Sequence, residues 1–150
     1  TMTLLFVILA VIGGATLSVQ ASVNGELGSR VGVYKTAFLT FSGGAVLTAL
    51  LIFYFEPAHA STLLDVPKWQ LLGAMCGVPY ILIMVVAVKR LGVALATLGV
   101  IFGQLAMSLL IDNFGWLGNE AVALSTNRIL AMVCLAGALY FVYRSNRRTE

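Results

Sequence analysis

LGVALATLGVIFGQLAMSLLIDNFG, residues 91–115, carries no charged side chain before Asp112. Its uncharged part, 93–111, has 19 residues, close to the roughly 20 that one bilayer crossing needs, so it reads as a transmembrane helix. At about 100° per residue, Thr97, Gln104, Ser108 and Asp112 fall within an arc of roughly 80°. Gly92, Ala96, Gly99, Gly103 and Ala106 fall on a nearly opposite arc. A smooth Gly/Ala face admits a neighbouring helix, so Gly99 and Gly103 are expected to pack. A polar face at membrane depth must meet another polar helix, water or a solute.

The rest of the chain is of the same kind. Of 150 residues, 60% are hydrophobic and 10% charged, and so few charges cannot cover a soluble surface, which makes this an integral membrane protein. The net charge of +3 does not point to nucleic acid, because the basic residues stand singly or in pairs at the ends of apolar runs, as topology signals do. Cys76 and Cys134 lie inside apolar runs without CxxC spacing or a nearby His. They fit no disulfide framework or zinc signature and are expected to be buried, inert thiols. The lone His59, in a connecting loop, takes no role.

Five crossings follow, at about 2–24, 36–56, 68–88, 93–112 and 126–144, within a single transmembrane domain. The first has no basic region ahead of it, so it is expected to be a mature helix and not a cleaved signal peptide. Thr16, Gln20 and Asn24 recur every four residues on one face, with Gly13 on the same side and Glu26 turned away. The helix is expected to run on towards Gly28. The second crossing holds Ser42, Gly43 and Gly44 and ends in Phe53, Tyr54 and Phe55, residues suited to an interfacial belt. The third has Gly73 and Gly77 at GxxxG spacing, a helix-packing signal, and then Pro79, which should kink the helix and free a carbonyl beside Tyr80. After the fourth, residues 112–128 read as a loop with Trp116, Gly118 and Glu120. The fifth must begin near Thr126, with Arg128 snorkelling or paired.

Seven basic residues (Arg30, Lys35, Lys89, Arg90, Arg144, Arg147 and Arg148) fall on one side of these spans, against Lys68 and Arg128 on the other. The positive-inside rule therefore expects the N-terminus outside and the C-terminus inside. Gln104 then sits near the midplane, roughly 16 Å from the cytoplasmic end of its helix. It is expected either to hydrogen-bond another helix, through Gln20 or Tyr80, or to line a solute site. Asp112 falls at the outer end, where an ion pair with Arg128 is favoured over a direct role in transport. No carboxylate lies at the midplane of any run, which argues against proton-coupled exchange through a buried acid. The candidate solute-binding residues are Gln20, Asn24, Tyr80, Gln104 and Ser108, with Asp112 and Arg128 as pair or gate.

The string from Gln20 to Gly28 (QASVNGELG), Trp69 with Gly73 and Gly77, Arg90-Leu91-Gly92, and Gly103-Gln104 followed by the string from Ser108 to Gly115 (SLLIDNFG) resemble the small YdcZ-type family of the drug/metabolite transporter superfamily. The resemblance runs over nearly the whole chain. It implies a five-helix protein of the bacterial inner membrane, in a family of exporters without an assigned substrate, and it supplies no catalytic residues. Larger members of the superfamily have ten helices in two oppositely oriented repeats, so this chain resembles one repeat. It is therefore expected to work either as a parallel homodimer or with an oppositely oriented paralogous partner.

Two function classes remain. In one, the chain is a subunit of a small-metabolite or drug transporter acting as a dimer by alternating access. In the other, it is a non-transporting membrane subunit that packs on and stabilises another membrane complex. No catalytic triad, metal cluster or phosphate loop is present at membrane depth, so no enzyme activity, metal or cofactor is expected.

Overall fold

The computed structural model describes residues 1–58 and 63–147, which leaves His59 and Arg148 outside the described residues. Among the described residues there are five long helices: α1 (Met2–Val31), α2 (Val33–Phe55), α3 (Gly73–Leu91), α4 (Val93–Phe114) and α5 (Thr126–Arg147). Among the described residues there is no strand. Each helix, α3 together with the short turn that precedes it, is long and apolar enough to cross a bilayer. The all-helical five-span class expected from the apolar runs is the one the chain adopts.

Several boundaries differ from the runs, for identifiable reasons. α1 continues past the apolar run as expected, and goes three residues beyond Gly28 to Val31, because hydropathy marks where lipid ends and not where backbone hydrogen bonding ends. Glu26 and Arg30, four residues apart and 3.1 Å from each other, support the protruding turns. The helix breaks only at Gly32, whose φ of 97° suits a residue without a Cβ. α2 starts at the very next residue, Val33, ahead of the expected 36.

The third span opens as a 3-10 turn, Lys68–Leu71, behind Pro67, and the α-helix begins at Gly73 instead of 68. Within α3, Pro79 lies in the interior of a helix that continues to Leu91. α4 carries residues 112–114, expected as loop, in its last turn. It stops at Gly115 in the left-handed conformation (φ 65°, ψ 33°), whose N–H donates to the Ile111 carbonyl. Ser125 Oγ accepts the Arg128 N–H at 3.3 Å and starts α5.

The two thiols correct their expectation, since Cys76 and Cys134 are both exposed. An apolar run in a membrane protein has no obligation to turn inward, because lipid tails are as apolar as a protein core.

Contacts group the chain into two units, Thr1–Arg90 and the part from Leu91 onward. In the first, packing concentrates at the end where α1 turns into α2. The buried residues are Ala21, Asn24 and Gly25 of α1, Thr36 and Ala37 of α2, and Ile81, Met84, Val85 and Val88 of α3. Ala37, Ile81 and Val85 form the centre of this cluster, with Val33, Phe41, Tyr80 and Leu82 packed around it. By contrast, residues 1–17 of the chain and 43–55 of α2 are exposed throughout. In the second unit α4 packs against α5.

Candidate functional site

Polar side chains at membrane depth need partners, and several hydroxyls here find them one turn back on their own helix. Thr16 donates to the Ile12 carbonyl at 2.9 Å, Thr48 to Gly44 at 2.8 Å and the fully buried Thr36 to Gly32 at 2.9 Å. The amides cannot satisfy themselves in this way. Asn24, 6% exposed, instead accepts a hydrogen bond from Thr40 of α2 at 2.9 Å. That contact ties α1 to α2, and such bonds between membrane helices contribute about 0.6 kcal/mol on average.

Beside this bond lies a small cleft between α1 and α3. Leu17, Gln20, Ala21 and Asn24 line one wall, and Tyr80, Ile81, Met84 and Val85 line the other. Its volume of about 10 Å³ has room for roughly one water. Three of the five residues expected to bind solute, Gln20, Asn24 and Tyr80, thus meet at one place. The four-residue spacing of Gln20 and Asn24 sets one wall and the turn after Pro79 sets the other.

Towards the end of α1 the two helices close tightly. A Cβ on Gly25 would stand 3.0 Å from Val88 Cγ1, and one on Gly28 would overlap Val85 Cγ1. Just beyond, Lys89 Nζ donates to Glu26 Oε2 at 2.6 Å, while Arg30 holds the other carboxylate oxygen at 3.1 Å. The charged side chains are 41–75% exposed, so their interaction is weak in energy, but it sets which turn of α3 faces which turn of α1. The α1–α3 contact is therefore sealed at the basic end by two glycines and an ion pair. At the other end Gly13 and Gly14 have nothing within 4 Å.

The glycines expected to pack are placed variously. Gly77 lies under Phe41 of α2, where a Cβ would be 3.2 Å from the ring, whereas Gly73, Gly99 and Gly103 have nothing within 4 Å. On α4, Gln104 and Ser108 are exposed.

At the far end of α4, Arg128 Nη1 lies 3.4 Å from Asp112 Oδ2, so the expected pair is brought together. The connection is strapped down around it. The Val122 N–H donates to the Asp112 carbonyl at 2.6 Å, the Leu124 N–H donates to Asn113 Oδ1 at 3.4 Å, and Trp116 stacks on Phe114. At the opposite end of this unit Asn146 Nδ2 donates to the Leu91 carbonyl at 3.1 Å.

Thr40 and the Glu26–Lys89 pair were not among the residues the sequence marked. The available signal was their shared level, since Glu26 and Lys89 both follow an apolar run on the side where basic residues collect. Among the described residues, no three His, Cys, Asp or Glu side chains group closely enough to hold a metal.

A family model described as "Putative inner membrane exporter, YdcZ" matches residues 5–141. No curated protein and no solved structure matches the chain.

Proposed function

Because the chain belongs to the YdcZ family of inner-membrane exporters, we propose that it is a subunit of a small-solute exporter, acting as a dimer by alternating access around the Gln20–Asn24–Tyr80 cleft. The observation that carries this reading is the meeting of those three side chains between α1 and α3. A cleft at membrane depth that offers an amide, a second amide already held by Thr40 and a phenol suits a neutral polar or amphipathic solute. With no carboxylate lining it, the cleft has no acid for proton exchange.

As it stands the cleft has room for about one water, so a solute enters only when α1 and α3 part. The Gly25/Val88 and Gly28/Val85 contacts, with the Glu26–Lys89 pair, form the closed end. Under the N-out, C-in orientation that the basic residues favour, this is cytoplasmic closure. The exposed Gln104 and Ser108 on α4 supply a second polar face, for solute or for a partner chain. Such a partner is a parallel second copy or an oppositely oriented paralogue, and the open Gly99 and Gly103 give it a smooth surface to pack on.

Efflux of a radiolabelled panel of amino acids and small amphipathic drugs from proteoliposomes tests this. Gln20→Leu, Tyr80→Phe and Gln104→Leu should each lower the rate of whichever solute moves, at unchanged protein yield. If these variants transport normally while Gly99→Leu or Gly103→Leu disrupts assembly, the chain is instead a packing subunit of another membrane complex.

A further inference from the structure

A second concavity of unit one lies away from the cleft. It is an open groove of about 500 Å³ between the start of α2 and the last turns of α3, lined by Val33, Tyr34, Leu82, Ile83, Val86 and Ala87. Its walls are apolar apart from the Tyr34 hydroxyl, and Tyr34 and Ile83 are largely exposed. Charge at its rim identifies the occupant. On α3, at 100° per residue, Leu82, Val86, Ile83 and Ala87 span an arc of about 140°, and Arg90 falls at its middle, one turn beyond Val86. Lys89, by contrast, is turned to Glu26. Lys35 follows Tyr34 directly on α2. Among the described residues neither Arg90 nor Lys35 has an acidic partner, although both stand at the end of the apolar spans where a bilayer's headgroups lie.

We propose that this groove seats an acyl chain of an anionic phospholipid, whose phosphate is bound by Arg90. A guanidinium offers the forked donors that a phosphate accepts, and a long basic side chain at a span's end reaches the headgroup layer while its stem stays in hydrocarbon. Arg90 follows the groove by one turn on the same face of α3, so one lipid meets both. This assignment needs only the membrane location of the chain and stands apart from the transport reading.

Purified full-length protein in mild detergent, titrated with phosphatidylglycerol or with phosphatidylcholine of the same acyl chains and read by native mass spectrometry, tests it. Phosphatidylglycerol should bind at about fivefold lower concentration, the effect of one basic residue at a membrane surface. Arg90→Gln should remove that preference, whereas Lys68→Gln should keep it. Ala87→Trp, which fills the groove, should weaken both lipids. Equal binding of the two lipids, or an unchanged preference in Arg90→Gln, overturns the proposal, and the exposed Arg90 arm decides alone if Ala87→Trp fails to fold. A folded Ala87→Trp that binds lipid normally also overturns it. So does a dimer that dissociates in Ala87→Trp, since a second copy would then cover the groove.

Discussion

Replacing Gly28 with alanine puts two known effects in opposition. Alanine in a helix interior is favoured over glycine by about 0.8–1.0 kcal/mol, and at Gly13, where a Cβ meets nothing within 4 Å, that gain should stand alone. At Gly28 the new Cβ would overlap Cγ1 of Val85, which is 2% exposed and, being β-branched, has little rotamer freedom with which to yield. Overpacking of this kind costs about 1–3 kcal/mol. Gly28→Ala should therefore be less stable than Gly13→Ala by about 1–3 kcal/mol, even though both are the same chemical change in the same helix. SDS titration of the purified protein in mixed micelles, followed by circular dichroism, measures the difference. Val85→Ala should restore most of the loss, so that the Gly28→Ala/Val85→Ala pair shows a coupling of about 1 kcal/mol or more in a double-mutant cycle. Equal stability of the two single variants, or strict additivity with Val85→Ala, would refute the α1–α3 seam.

Asn24→Leu deletes the acceptor of the Thr40 hydroxyl and should lower stability by about 0.6–1.7 kcal/mol in the same titration, whereas Thr48→Val, which loses only an intrahelical bond, should change it less. Gly115→Ala places a Cβ at φ 65° and 3.3 Å from the Asn119 carbonyl oxygen, and should cost about 1–2 kcal/mol. Loosening of the strapped loop should follow, seen as faster proteolysis between 115 and 125. Glu26→Gln should leave helix content and yield unchanged, because the pair is exposed. It should nonetheless raise the rate at which a cysteine at Ala21 reacts with maleimide, by weakening the closed end of the cleft.

The five spans were legible because composition alone separates lipid-crossing runs from the polar segments between them. The Gln20/Asn24 face and Tyr80 were legible for a related reason: polar atoms in hydrocarbon are costly, so their positions stand out. Asp112 and Arg128 could be paired from their shared level in the membrane. Packing was much less readable. Gly25 and Gly28 look no different in the sequence from Gly13 and Gly14, yet the first two lie against α3 and the others are open, since in lipid the buried and outward faces of a helix need not differ in hydrophobicity. The same absence of contrast explains the exposed Cys76 and Cys134. The run of α1 beyond the lipid was foreseen to Gly28 but not to Val31, and the start of α3 was missed where a proline delays it, ahead of Gly73. The Glu26–Lys89 contact joins residues 63 positions apart, and single-chain spacing carries no record of such a meeting.

Alternating access to the Gln20–Asn24–Tyr80 cleft is tested most directly by an Ala21→Cys variant in a background with Cys76→Ser and Cys134→Ser. It would be labelled by a membrane-impermeant maleimide applied separately to each face of oriented vesicles. Ala21 lines the cleft and is buried, so it reacts only when the cleft opens. Labelling from both faces, at rates that shift in opposite directions when Glu26→Gln weakens one closure, is the result expected. Labelling from a single face, or from neither in folded protein, would contradict it.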